Sequence, residues 1–247
     1  MANVYKCEIT ENTQLTGEVY SLVFSCEEIA ASSYAGQFVH IKCGKERLLR
    51  RPISICSVFA DCVRVVYEVK GEGTKWLSEQ AAGQKLDILG PLGNGFSLPE
   101  GKIIIVGGGI GTPPMLYAAK TAHGSVTAIL GFRDKSKIIL QEEFEKTCDE
   151  VIITTDDGSA GIHGFVTQPL EDLLSKGGDN AVLSCGPQIM QDGIIKLCKK
   201  YNVPVQVSLE ERMACGVGAC LVCACEAFDM KRVCVDGPVF EVEMKLP

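Results

Sequence analysis

The chain has 247 residues, a formal net charge of −7 and 46% apolar residues. That length is room for about 1.6 ordinary domains of roughly 150 residues, the apolar share excludes a disordered chain, and the acidic balance excludes a nucleic-acid binder, which needs a basic footprint. The longest apolar runs, such as residues 103–106, fall far short of the roughly 20 residues of a membrane span, and Met1-Ala2-Asn3-Val4-Tyr5-Lys6 has no apolar signal core, so a cytoplasmic protein without membrane or nucleic-acid partners is expected.

The first hundred residues read as short strands. Residues 18–24 alternate in part, 37–42 alternate cleanly as a half-buried strand does, and 63–69 are similar. Gly36, Gly44 and Gly90-Pro91-Leu92-Gly93 punctuate these runs. The pattern predicts an antiparallel barrel over residues 1–98, with one short helix that begins at Thr74 and carries Trp76 and Leu77. Arg50-Arg51-Pro52-Ile53-Ser54 follows an apolar strand. An arginine there can grip a diphosphate through charge-assisted bonds, and a serine can bond a flavin ring nitrogen. Taken alone, the motif reads more readily as a basic loop.

Near Pro99 the rhythm changes. Apolar strands at 103–106, 126–130, 151–155, 181–184 and 205–208 alternate with helical stretches from Pro113, near 142–146, around 168–174 and over 189–201. Five strands with four crossovers predict a doubly wound parallel α/β sheet over residues 99–207. Gly107-Gly108-Gly109-Ile110-Gly111-Thr112-Pro113-Pro114 joins the first of these strands to its helix. Glycines there allow a tight turn and the approach of a phosphate to free N–H groups, and a proline suits the first helical turn. Thr112 replaces the last glycine of the dinucleotide fingerprint, and Phe132-Arg133-Asp134 stands where an acidic residue would end the second strand. Cys185-Gly186-Pro187-Gln188 closes the fourth strand at the same sheet edge, where open α/β sheets bind ligands.

From about Ser208 the chain is cysteine-rich. Of thirteen cysteines, eight are scattered (Cys7, Cys26, Cys43, Cys56, Cys62, Cys148, Cys185 and Cys198), and most of these read as small buried apolar side chains. Five crowd between Cys215 and Cys234. Cys215, Cys220, Cys223 and Cys234 stand as C-x4-C-x2-C-x10-C, and the first three have the plant-type [2Fe–2S] spacing. Thiolates are soft ligands suited to iron and sulfide, and the small residues from Ala214 to Ala219 let backbone N–H groups approach the sulfurs. The competing reading is a structural zinc site or a group of inert thiols. Zinc sites more often pair two C-x2-C units or use histidine, and no histidine follows His163. Cys225, two residues past Cys223, points the same way on an extended chain and competes with Cys234 as fourth ligand.

Arg51-Pro52-Ile53-Ser54, the 107–114 turn and Cys185-Gly186-Pro187 occur together and in order, and the combination resembles the ferredoxin–NADP reductase superfamily. Residues 208–220, residues 233–240 and Gly90-Pro91-Leu92-Gly93-Asn94-Gly95-Phe96 resemble, within it, the electron-transfer subunits of type 1B dihydroorotate dehydrogenases. The resemblance spans essentially the whole chain. It implies a flavin-binding barrel (1–98), a nucleotide-binding sheet (99–207) and a small C-terminal [2Fe–2S] subdomain (208–247). It implies that Arg51, Pro52, Ile53 and Ser54 line FAD, with Ser54 near the flavin ring, and that Tyr67, Glu68 and Val69 form a second flavin edge. Gly73 and Thr74 would meet the diphosphate, and Cys215, Cys220, Cys223 and Cys234 would hold the cluster. Gly107, Gly108, Gly109, Gly111, Cys185 and Gly186 would face NAD(H), with Ser54 and Cys185 at the reacting ring. The spacing before Cys234 is short for such relatives.

Nicotinamide exchanges two electrons as hydride and a [2Fe–2S] cluster exchanges one, so a flavin is expected between them. The implied partner is an FMN-containing subunit that oxidises dihydroorotate to orotate in a hetero-oligomer, with electrons flowing on to NAD+. The resemblance favours NADH over NADPH, although Arg133 suits a 2′-phosphate and Asp134, Asp156 and Asp157 oppose one. The rival readings are a reductase serving a hydrogenase or sulfur-reducing module, a redox sensor, and a zinc-stabilised binding module. None of the three histidines stands in a suggestive motif.

Overall fold

The computed structural model describes residues 3–46, 48–178 and 180–243. The chain forms two compact units, one of Met1–Gly95 with Glu210–Pro238, the other of Phe96–Leu209 with Val239–Pro247. The cysteine-rich segment therefore groups with the barrel.

In the first unit β1 (Asn3–Thr16), β2 (Val19–Ser25), β3 (Phe38–Lys42), β4 (Arg51–Phe59), β5 (Cys62–Glu68) and β6 (Lys85–Leu92) close a barrel in the order β1-β2-β5-β4-β3-β6. All its pairings are antiparallel, and β6 closes it by pairing with both β1 and β3. Ile9, Leu22, Phe24, Ile41, Ile55, Leu86 and Ile88 are fully buried and supply its core. A short helix α1 (Glu27–Ser32) links β2 to β3. A second, α2 (Glu72–Ser78), starts two residues before the expected Thr74 and buries Leu77.

Two expectations change here. The 37–42 run is not half-buried: Phe38, Val39, His40 and Ile41 are all buried. Its second face is covered because Gly216 of the cysteine segment lies on the His40 ring, while Gly93 sits between Phe38 and Pro238. Alternation records one face meeting a core and cannot register a second cover supplied from far along the chain. The arginine motif, in turn, does not follow a strand as a loop. Arg51 opens β4 and pairs with Ile41, Pro52 pairs with His40, and Ser54 with Phe38.

In the second unit β7 (Lys102–Gly108), β8 (Val126–Phe132), β9 (Glu150–Thr155), β11 (Asn180–Cys185) and β12 (Val205–Ser208) are the five expected parallel strands. The two-residue β10 (Ile162–His163) extends the sheet beyond β9, and β15 (Val239–Glu241) pairs antiparallel to β12. Neither carries a periodic sequence signal: β10 is exposed on both residues, and β15 is three residues long. Helices α3 (Thr112–Thr121), α4 (Gln141–Glu145), α5 (Thr167–Ser175) and α6 (Gln188–Tyr201) make the crossovers. The order β10-β9-β8-β7-β11-β12-β15 places β7 between β8 and β11, so the chain order reverses there. Such a switch point opens a crevice at the carboxyl ends of the strands. The cysteine segment adds a hairpin of β13 (Ala224–Cys225) and β14 (Lys231–Arg232), with a 3-10 turn (Glu226–Phe228) between them. Among the described residues no helix is long and apolar enough to cross a membrane.

Ile105 is fully buried at the centre of β7. Ile105→Ala is expected to lower stability by about 2–5 kcal/mol through lost transfer energy and a residual cavity, read as a fall in the urea midpoint of the sheet unit.

Candidate functional site

On the barrel, β4 and α2 bring the expected flavin residues together. The Arg51 guanidinium lies against Gly73 so closely that a Cβ there would stand 2.6 Å from Nε and 2.9 Å from Nη2. A side chain there would displace the guanidinium, which as it stands sets a cation beside the first turn of α2. Arg51 Nη1 donates to the Leu49 carbonyl at 2.7 Å, which fixes the fork. The Thr74 hydroxyl accepts from Lys70 N–H at 3.0 Å and Gly71 N–H at 3.3 Å, and donates to the Gly71 carbonyl at 3.1 Å, so it pins the turn into the helix. Ser54 is half-buried on β4, and Ile53 is buried. Tyr67 is buried too: its ring stacks on Tyr20 with centroids 6.0 Å apart, and its hydroxyl donates to Asn12 Oδ1 at 3.4 Å. Burial pushes its phenol well above the usual range. Glu68 pairs with Lys70 at 3.1 Å, and Val69 N–H donates to the Glu18 carbonyl. Tyr67, Glu68 and Val69 thus offer a strand edge whose aromatic ring is already engaged.

The structure brings Cys215, Cys220, Cys223 and Cys234 together in the same unit. Val217 N–H and Ala219 N–H donate to Cys215 Sγ at 3.4 and 3.3 Å. Gly218 N–H donates to Cys234 Sγ at 3.2 Å, and Cys234 N–H to Cys223 Sγ at 3.4 Å. Cys215 and Cys220, and likewise Cys223 and Cys234, lie near enough for their thiols to influence each other. Burial raises the Cys215 thiol, but hydrogen bonds from Val217 N–H, Cys220 and Ala219 N–H outweigh it and bring it down to about 6. Burial and the neighbouring Cys223 push Cys234 up to about 12 against the pull of Gly218 N–H. Arg232 braces the loop: Nη1 donates to the Gly218 carbonyl at 3.1 Å, and Nε meets Asp236 at 3.2 Å. Asn94 holds the far end, its N–H donating to the Gly237 carbonyl at 2.6 Å and Nδ2 to Val235 at 3.0 Å. Among the described residues no three acidic, cysteine or histidine side chains converge on a point that one ion could occupy. Two thiol pairs rimmed by N–H donors fit a two-iron cluster, in which each iron takes two thiolates. Cys225 sits in the β13–β14 hairpin, and among the described residues no hydrogen bond joins its sulfur to the other four.

On the sheet, Gly107 and Gly108 end β7, and Gly109–Gly111 form a 3-10 turn into α3, with Pro113 and Pro114 in the first helical turn. Cys185 pairs with Gly107 in register, so the two expected turns are adjacent. A Cβ on Gly111 would stand 2.4 Å from the Cys185 carbonyl oxygen and 2.7 Å from Gly186 N, so these backbones can meet only without side chains. Cys185 is buried beneath this contact. Gly108 and Gly109 open onto a cavity of about 430 Å³, lined also by Phe132, Arg133, Asp156, Phe165, Ile189 and Met190. Asp134 and Asp157 turn away into their own loops, accepting from Ser136 N–H at 2.8 Å and Ser159 N–H at 2.9 Å. Arg133 and Asp156 are therefore the charged groups that line the cavity. The exposed Phe165 and Ile189 went unnoticed in the sequence because each is a lone apolar residue without periodic neighbours. His40, buried under the cysteine segment, also escaped notice, since only strand register reveals what it faces.

Residues 210–244 match the iron-sulfur cluster binding domain of dihydroorotate dehydrogenase B. The chain is 42% identical to the dihydroorotate dehydrogenase B (NAD(+)) electron transfer subunit of Caldanaerobacter subterraneus subsp. tengcongensis, with 96% of each chain covered. It is 43% identical to the subunit of the same name from Clostridium perfringens, over 96% of this chain and 95% of that one. Among solved structures, the NADH-dependent reduced ferredoxin-NADP oxidoreductase studied for flavin-based electron bifurcation is similar with a TM-score of 0.84 and 29% identity, over 98% of this chain and 90% of that one. A ferredoxin NADP+ reductase from Neisseria gonorrhoeae with bound FAD and NADP shares the fold at a TM-score of 0.68 and 16% identity, over 81% of this chain and 92% of that one.

Serine at any one of positions 215, 220, 223 or 234 removes a soft ligand from a pair. Cys215→Ser, Cys220→Ser, Cys223→Ser and Cys234→Ser are each expected to lose most bound iron, and Cys225→Ser to keep it, as read by iron and acid-labile sulfide analysis. Loss in Cys225→Ser with retention in Cys234→Ser would reverse the choice of fourth ligand.

Proposed function

The chain belongs to the family of dihydroorotate dehydrogenase B (NAD(+)) electron transfer subunits, and from that membership we propose how its residues carry electrons between NAD(H), FAD, a [2Fe–2S] cluster and an FMN-containing catalytic subunit. It is an oxidoreductase subunit, and the coupled reaction is dihydroorotate oxidation with NAD+ reduction in pyrimidine biosynthesis. The observation that supports the reading best is the set of backbone N–H groups directed at the sulfurs of Cys215, Cys223 and Cys234, built into the same unit as the strand that bears Ser54.

Cys215, Cys220, Cys223 and Cys234 hold the cluster, and the N–H groups of residues 217–219 and 234 offset the charge on its sulfurs. Arg51 and the start of α2, pinned by Thr74, bind the FAD diphosphate. Ser54 bonds the flavin ring from β4, and Tyr67, Glu68 and Val69 border it from β5. Gly107, Gly108, Gly109 and Gly111 with Cys185 and Gly186 bring bare backbone to the nicotinamide nucleotide, whose apolar faces fit the walls of Phe132, Phe165 and Ile189. When bound, FAD supplies the exchange between two-electron hydride transfer and one-electron transfer. The chain's part is to hold these groups in fixed order and keep water from them. Residues 1–98 bind FAD, 99–207 the nucleotide and 208–247 the cluster. The site of action is the cytoplasm, where thiols stay reduced.

The catalytic subunit docks over the cysteine segment. Val217, Leu221, Val222 and Met230 are all exposed next to the ligand cysteines in sequence, with Leu221 the most open at 63%. Four large apolar side chains left exposed within fourteen residues support a protein interface there.

Three measurements test the reading. Anaerobically purified protein should be brown-yellow, with about one FAD, two irons and two sulfides per chain; stoichiometric zinc without iron would refute it. With a dye acceptor, NADH should be preferred over NADPH, because the Asp156 carboxylate faces the cavity and repels a 2′-phosphate. Asp156→Asn should then lower the KM for NADPH several-fold and leave that for NADH nearly unchanged. The isolated chain should oxidise NADH yet fail to oxidise dihydroorotate, and adding the FMN subunit should restore coupled turnover in a stable hetero-oligomer seen by size-exclusion chromatography. Dihydroorotate turnover by the lone chain would defeat the scheme.

A further inference from the structure

His40 lies in β3, is fully buried, and has no hydrogen-bond partner at Nδ1 or Nε2 among the described residues. A buried polar group without a partner costs about 1–3 kcal/mol, and native cores hold few of them. An apolar residue of the same size would avoid that cost, so the imidazole has something to bond.

Two features show what surrounds it. His40 stands opposite Pro52, and Phe38 opposite Ser54. Cross-strand partners project from one face of a sheet, as do residues two apart. His40 therefore shares its face with Pro52 and Ser54 of the flavin strand. From the other side the Cys215–Cys220 loop presses on the ring. A Cβ on Gly216 would stand 2.6 Å from Nδ1 and 3.1 Å from Cε1, and Gly216 is at φ +72°. This is the loop whose next three N–H groups turn toward cysteine sulfurs. Burial, then the charges of Arg50 and Arg51, hold the ring's pKa down to about 4, so the imidazole is neutral and carries one N–H donor. Its other close neighbours, Phe38 edge-on at 6.3 Å and Leu92 beside Gly216, are apolar and accept nothing.

We propose that His40 is a positioning residue for the iron–sulfur cluster: its ring N–H, presented beside Gly216, adds a side-chain donor to the backbone donors on the cluster sulfurs and ties the cluster loop to the sheet face that carries Ser54. The inference rests on the cluster reading above. Hydrogen bonds to sulfur stabilise the more negative, reduced state and raise the reduction potential. Loss of this donor lowers the potential, while a polar residue that keeps an N–H in place returns it toward the starting value.

The test uses holoprotein as wild type, His40→Leu and His40→Gln, each assayed for iron, sulfide and FAD and then followed by EPR during a redox titration. Wild-type protein labelled with 15N-histidine adds a direct readout, because the other two histidines, His123 and His163, belong to the sheet unit. The expected result is a resolved 15N coupling to the reduced cluster, a midpoint shifted to lower potential in His40→Leu, and a smaller shift in His40→Gln. A loaded wild-type cluster without 15N coupling would overturn the inference, as would equal midpoints in wild type and His40→Leu or equal shifts in both variants. If His40→Leu fails to load, the labelled wild type decides alone. Wild-type protein without iron would overturn the cluster reading and this inference with it.

Discussion

The cysteine segment cannot hold itself together. Among its described residues regular structure is limited to a pair of two-residue strands and one 3-10 turn, and its buried apolar side chains to Val233, Pro238 and two cysteines. What orders it is attachment to the barrel. Asn94 grips residues 235–237 through three carbonyls, and Gly93 and Gly216 let the segment lie directly on Pro238 and His40. Every sulfur-directed N–H depends on this fixing, since a donor contributes to a cluster only if it is aimed beforehand. The same contact buries the second face of β3 and so turns a peripheral barrel strand into an interior one.

A comparable constraint governs the sheet edge. The turns after β7 and β11 approach until Gly111 meets the Cys185 carbonyl, and no side chain larger than hydrogen fits between them. Beside these turns Gly108 and Gly109 meet a cavity lined by Phe132, Phe165, Ile189 and Met190. Charge is kept to Arg133 and Asp156 at the rim, because Asp134 and Asp157 are engaged by serines in their own loops. Recognition by shape and bare backbone suits a large, flat, anionic ligand, with selectivity left to a single pair of charges.

Much of this was legible in the sequence where a signal is local. Cysteine spacing, the glycine turn and the strand–helix rhythm after Pro99 are each contained within a short window, and each predicted element is present. The rest depends on contacts between distant parts of the chain. Arg51 reads as a loop residue because its neighbours are basic, and only pairing with Ile41 makes it the start of a strand. Tyr67 is implied as part of a flavin edge, but its stacking on Tyr20 and its bond to Asn12 come from strands far away in sequence. Cys225 lies two residues past Cys223 and competes with Cys234 on sequence alone, whereas the hydrogen bond from Gly218 N–H to Cys234 Sγ and the hairpin that carries Cys225 appear only in the fold. His40 carries no motif at all, and its surroundings come from residues 52 and 216 together.

Ser208 pairs with Val239, so the chain leaves the sheet at β12 and rejoins it beside its own point of departure. The cysteine segment is therefore an excursion whose two ends are pinned to adjacent strands. For such a loop the closure entropy grows only as the logarithm of length, about 0.6 kcal/mol for each doubling. Adding or removing a few residues between Cys223 and Cys234 costs far less than that, and the sheet registers none of it. The length of the stretch before Cys234 is thus something the architecture absorbs, free to vary while the four sulfurs and the Asn94 clamp stay where they are.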